Sequence, residues 1–104
     1  MAKAIINGKR YDTETAHRVA GWDNGHFTSD FHYCHEVIWR TTSGAWFLEG
    51  SGGALSSYAE SVGDGTCGGD AIVPMTDDEV REWLERHHKI DALEQHFASA
   101  IINA

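Results

Sequence analysis

Bases are scarce in this chain. Eight Lys and Arg stand against sixteen Asp and Glu in 104 residues, a formal net charge of −8 with histidine neutral. A field of that sign repels nucleic acid and attracts basic protein surfaces, so direct nucleic-acid binding is not expected. Cysteine is also sparse. Cys34 and Cys67 make no disulfide framework and read as free thiols in a reducing compartment. A bridge between them requires Cα atoms within about 7 Å. No apolar run approaches the roughly 20 residues needed to span a bilayer. The start, M-A-K-A-I-I-N-G, lacks the apolar stretch and cleavage site of a signal peptide, and the expected compartment is a cytoplasm. There is no internal repeat and no low-complexity tract.

What is present suffices for one small domain. Apolar residues make up 41% of the sequence and four are tryptophan, Trp22, Trp39, Trp46 and Trp83. That is enough for one modest core and too aromatic for a disordered acidic tail. The charge is uneven. Residues 1–22 carry Lys3, Lys9, Arg10 and Arg18 against Asp12 and Glu14, and the other fourteen acids face only four bases.

Local patterns predict an α+β domain with an antiparallel sheet, a short N-terminal helix and one or two C-terminal helices. Asn7-Gly8 is a preferred pair for a tight hairpin turn, with short strands either side over residues 4–11. Residues 13–20 suit a short helix capped by Asp12 or Thr13 and stopped by Gly21. Residues 22–32 are turn-rich. Residues 35–41 and 45–49 predict a hairpin about Ser43-Gly44, with Arg40 opposite Phe47 and Trp39 opposite Leu48. That register gathers Val37, Trp39, Trp46 and Leu48 on a core face. It leaves Glu36, Ile38, Arg40, Phe47 and Glu49 on the other, where Arg40 and Glu49 can pair. Residues 70–73 read as a strand ending at Pro74, the only proline. Residues 76–88 form a helix with Val80, Trp83, Leu84 and His87 on one face. Residues 90–102 continue as a second amphipathic helix through Ile90, Leu93, Phe97 and Ile101, or bend from the first near Lys89.

Few residues invite catalysis or metal binding. His32, Cys34, His35 and Cys67 lack any familiar zinc spacing, and adjacent Cys34 and His35 point to opposite faces of a strand. Ser51 has glycine immediately on both sides, whereas a nucleophile elbow has it two residues away on each. Neither G-S-G-G (50–53) nor G-D-G-T-C-G-G (63–69) matches a phosphate-binding loop. Those glycines read as turn formers. No enzymatic activity, cofactor or metal is expected.

The acids divide by context. Thr76 and Glu79 form a capping box, and Asp77 and Asp78 suit a helix N-terminus. Glu82–Arg86 and Arg81–Glu85 have i,i+4 spacing. The acids from Asp23 to Glu36 and from Glu60 to Asp70 lie in irregular or glycine-rich segments without such local roles. Trp22, Phe27, Phe31 and Tyr33 lie among the first group. Aromatics beside carboxylates suit an interface; equally, Phe31 and Tyr33 can plug the end of the sheet.

Several segments together, I-N-G-K-R-Y-D-T-E-T-A (6–16), D-F-H-Y-C-x-E (30–36), W-R-T-x-x-G-x-W-F-L-x-G-x-G-G (39–53), S-x-Y-A (56–59) and P-M-T-x-x-E (74–79), resemble a group of small proteins of bacterial phages and mobile elements. The resemblance covers about residues 5–88 and leaves the tail Ala98–Ala104, expected to be loosely ordered, without a role. It brings no catalytic residue. By analogy of size, charge and genomic context it implies an anti-CRISPR protein in a bacterial host cell, a stoichiometric inhibitor that evades host defence. The expected partner is a Cas protein or effector complex whose basic groove normally holds nucleic acid. The residues expected to meet it are Asp23, Asp30, Glu36, Glu60, Asp64, Asp70, Asp78 and Glu82, each replacing a phosphate or pairing with a base. The alternative is a mobile-element accessory protein with a non-defence partner, or one that homodimerises through residues 90–102. Monomer and homodimer are both compatible with the sequence.

Overall fold

The computed structural model describes residues 3–25, 33–53, 60–62, 65–67 and 69–103. The protein forms an α+β fold. A first hairpin, β1 (Lys3–Ile6) and β2 (Lys9–Asp12), precedes β3 (His17–Asp23), β4 (Cys34–Arg40) and β5 (Trp46–Gly52). A small hairpin, β6 (Glu60–Val62) and β7 (Gly65–Cys67), then leads to β8 (Gly69–Met75) and the helices α1 (Asp77–Arg86) and α2 (Ile90–His96). The main sheet has the order β3-β4-β5-β8, beside the two separate two-stranded hairpins, and all described pairings are antiparallel. Among the described residues no helix is long and apolar enough to cross a membrane.

The first hairpin obeys the sequence signal. Asn7 and Gly8 both have positive φ, 53° and 77°, as a type I′ turn requires, and Ile6 opposes Lys9. The expected short helix over residues 13–20 does not form. Asp12 does cap the backbone just after it: its Oδ1 accepts from Glu14 N–H at 2.9 Å, and its carbonyl accepts from Thr15 and Ala16 N–H. This closes a single turn, after which His17–Asp23 enters the sheet as β3. A helix so short is marginal alone. Pairing with β4 instead delivers Ala20 and Trp22 to the core.

The β4–β5 hairpin forms with its register moved by one residue. Trp39 opposes Phe47, and Arg40 opposes Trp46. The turn has three residues, not two. Gly44 N–H donates to Thr41 O at 3.0 Å, Thr41 N–H donates to Ala45 O at 2.8 Å, and Gly44 adopts φ +92°. This is the turn-plus-left-handed-residue solution for three-residue hairpins. Since strand side chains alternate, one step exchanges the faces of one strand against the other. Trp46 and Leu48 join Ile38, while Val37 and Trp39 join Phe47.

Both faces are covered. On one, α1 buries Val80, Trp83 and Leu84 against Ala20, Ile38 and Trp46, with Ala92, Leu93 and Phe97 closing the cluster. On the other, Tyr11 of β2 packs edge-on to Phe47, centroids 5.7 Å apart. The predicted strand over 70–73 runs on through Pro74, which opposes Phe47. β8 is an edge strand, where a missing N–H is tolerated.

α1 starts at the expected capping box: Thr76 Oγ1 accepts from Glu79 N–H, and Glu79 Oε1 accepts from Thr76 N–H. The helical path breaks after His87, with His88 at φ +55°, so the two helices are separate. The second is shorter than expected. It ends at His96, a 3-10 turn spans Ala98–Ala100, and Phe97 stacks on Trp46 at 5.6 Å. Ile90 (60% exposed) and Ile101 (46%) therefore do not extend the core stripe.

Candidate interaction surface

Three of the four indoles are tied to carboxylates. Trp39 Nε1 donates to Glu49 Oε1 at 3.1 Å, Trp46 Nε1 to Asp77 Oδ1 at 2.8 Å, and Trp83 Nε1 to Glu36 Oε1 at 3.0 Å. A buried indole N–H needs an acceptor, and an ionised one makes the stronger bond. The partners lie 10, 31 and 47 residues apart, beyond any local motif. Trp39–Glu49 is a cross-strand diagonal that the correct register alone reveals.

The same register separates Arg40 from Glu49. The two occupy opposite faces, so the expected pair does not form. The Arg40 guanidinium instead lies 4.6 Å from the centroid of the Trp46 ring and 3.5 Å from His96 Nδ1. Burial, and then the Arg40 charge, push the His96 pKa below its ordinary value. The expected i,i+4 pairs on α1 are also replaced. Arg81 reaches back to Asp78 at 3.0 Å, while Glu82 and Glu85 are exposed and make no ion pair among the described residues.

The acids expected to meet a partner fall into distinct settings. Glu36 faces α1 and holds Trp83. Asp78 is exposed and paired with Arg81. Glu82 is exposed on the same helix. Asp23 and Asp70, both exposed, close one row across the main sheet: Asp23 opposes His35, His35 opposes Ser51, and Ser51 opposes Asp70. Three strand spacings of about 4.8 Å separate the two carboxylate-bearing edges by about 14 Å. At this end of the sheet β3 stops and β4 starts, and β5 stops and β8 starts. Glu60 belongs to the β6–β7 hairpin between β5 and β8, where its backbone opposes Cys67. Asp30 and Asp64 lie outside the described residues, as do Phe27, Phe31 and His32. Asp23 also accepts Gly25 N–H at 2.8 Å, which shapes the turn after β3.

A cavity of about 600 Å³ adjoins this row, lined by Lys3 and Ala4 of β1 together with His35, Glu49, Ser51, Asp70 and Ile72. Its polar groups are not in catalytic order. Ser51 stands between His35 and Asp70, whereas a triad places the imidazole between hydroxyl and carboxylate, and His35 stacks on Tyr33. Among the described residues no group of three or more His, Cys, Asp or Glu is arranged to hold a metal ion.

One imidazole has an unusual setting. His87 sits 4.5 Å from the ring centroids of both Trp22 and Trp83, with Nε2 buried and, among the described residues, unpartnered. Burial drives its pKa below the ordinary value, more strongly than the nearby Glu36 carboxylate raises it; Arg86, Lys89 and His88 lower it further.

Comparison with protein-family models, with curated proteins and with solved structures finds no match for this sequence.

Proposed function

We propose that this protein is an anti-CRISPR protein that acts as a stoichiometric inhibitor, seating an acidic end of its main sheet in a Lys/Arg-lined groove of a CRISPR effector. The row from Asp23 to Asp70 carries the reading. These exposed carboxylates terminate the two edges of the sheet at the end where both connections bearing Asp30, Glu60 and Asp64 depart. The sheet between them is a rigid spacer, so the charges reach a partner with little ordering cost. The effector as target rests on the analogy of size, charge and genomic context with small acidic proteins of mobile elements. Carboxylates in place of phosphates make association fast and salt-sensitive. Pull-down with purified effector complexes, followed by DNA competition, tests this. Failure to bind any effector would sink the proposal, and capture that leaves DNA binding intact would refute the mimicry.

The second reading, a homodimerising accessory protein, draws on Ile90, Ile101 and Ile102, the last 89% exposed. Light scattering across concentrations separates the two: a mass that stays monomeric counts against it.

A further inference from the structure

β8 closes the main sheet on one side, and among the described residues no strand pairs with its outer edge. Its register with β5 determines what that edge presents. Thr41 N–H donates to Ala45 O, and Gly53 N–H donates to Tyr33 O, so the odd-numbered residues of β5 exchange hydrogen bonds with β4. Antiparallel ladders alternate such pairs with pairs that exchange none. Leu48 and Gly50 therefore turn their backbone groups toward Val73 and Ala71, while Asp70, Ile72 and Pro74 turn theirs outward. Pro74 thus lacks its N–H where no bond to β5 is lost. The outer edge keeps the N–H and C=O of Asp70 and Ile72 and the C=O of Pro74.

The opposite edge of the sheet is guarded. β3 has a bulge between Arg18 and Ala20, and the Arg18 guanidinium lies over Gly21. Bulges and edge cations hinder strand pairing, and this cation repels a basic segment. Along β8 the guard is Pro74 at the far end, and Ala71–Pro74 carries no charge. Val73 lies opposite Leu48, on the face that the helices cover, yet is 44% exposed. Asp70 and Ile72 lie on the other face with Glu49, and the three line the cavity of about 600 Å³ there.

We propose that β8 receives an extended basic segment of a partner protein as an added antiparallel strand. Backbone hydrogen bonds to Asp70, Ile72 and Pro74 supply affinity, and alternate side chains supply specificity. On one face of the added strand an apolar residue meets Val73. On the other a Lys or Arg meets Asp70, on the face that also carries Glu49. Charge selects this occupant over a second copy, which brings its own −8 and its own Asp70 to the edge. The surface goes beyond the effector reading and does not depend on it.

The test is amide NMR with hydrogen exchange on the full-length protein, titrated with the peptide acetyl-T-V-T-V-R-T-amide. Two control peptides replace its arginine by glutamate, or its second threonine by proline, which has no N–H for the Ile72 carbonyl. Saturable shifts and slowed exchange at the Asp70 and Ile72 N–H groups are expected with the arginine peptide. The glutamate peptide should bind at least about fivefold more weakly, and the proline peptide should leave exchange unchanged. Asp70→Asn should weaken binding and flatten its salt dependence. In Ile72→Pro, which removes an outward N–H, and in Val73→Lys, at an exposed position, the Asp70 N–H should exchange at its free rate with peptide present. Equal binding of the glutamate peptide, unslowed exchange at saturation, or slowing that survives both variants would overturn the proposal. Slowing that grows with protein concentration in the absence of peptide would make a second copy the occupant, and would overturn it as well. No effector enters the assay, so its outcome is separate from that of effector capture.

Discussion

Trp83 hands its indole N–H to Glu36 across the interface between α1 and the main sheet, at 3.0 Å. Trp83 is 2% exposed, so its indole depends on Glu36 for a hydrogen-bond acceptor. One of the acids with no local explanation in the sequence thus has a structural role. Its availability to a partner then becomes measurable apart from that role.

Glu36→Ala should destabilise the fold by about 1–3 kcal/mol, the cost of leaving a buried donor unpaired. Glu36→Gln keeps a neutral acceptor and should lose less. Urea denaturation of both variants checks this. Equal, near-zero losses would mean that the bond to Trp83 contributes nothing to the fold.

Acidification should destabilise the protein through His87 and His96. Both have pKa values below the ordinary 6.5, so the unfolded state takes up protons at these positions first. Their contribution is complete above about pH 6.5 and is lost as the pH falls through the lowered folded-state values. The urea midpoint should fall between pH 7.5 and 5, and His87→Phe should flatten part of that slope. A midpoint that rises over this interval would contradict the sign.

Gly44→Ala tests the three-residue turn. Among the described residues the atom near an added Cβ is Arg40 Nη2 at 3.8 Å, so space is not the obstacle. Backbone φ +92° is. A loss of about 1 kcal/mol or more is expected, read as a lower thermal midpoint.

Asp23→Asn with Asp70→Asn removes the two edge carboxylates of the sheet row. Both residues are exposed, and stability should stay within about 0.5 kcal/mol per site. Binding to an effector should weaken, mainly through slower association, and its salt dependence should become shallower. Unchanged affinity and salt slope would remove this surface from the interface.

The features legible in the sequence are those whose hydrogen bonds close within a few residues. Asn7-Gly8 determines the first hairpin because both positions need positive φ. Thr76 and Glu79 satisfy each other's backbone N–H and so announce the start of α1, and Val80, Trp83 and Leu84 fall on its buried face by periodicity alone. The choice at residues 17–23 was not local. Asp12 closes a turn in either outcome, and only the unpaired edge of β4 makes a strand more favourable than a short helix. The β4–β5 register likewise rested on one turn residue, and that single step decided that Glu49 meets Trp39 rather than Arg40. Tertiary structure also selected which acids serve the fold. Glu36, Glu49 and Asp77 became indole acceptors because packing brought three indole N–H groups beside them, whereas Asp23 and Asp70 stayed in water at the two ends of one row. The sequence by itself determined the excess of negative charge and the local elements. Only the pairing of distant strands and the covering of both sheet faces decided where that charge is spent and where it remains exposed.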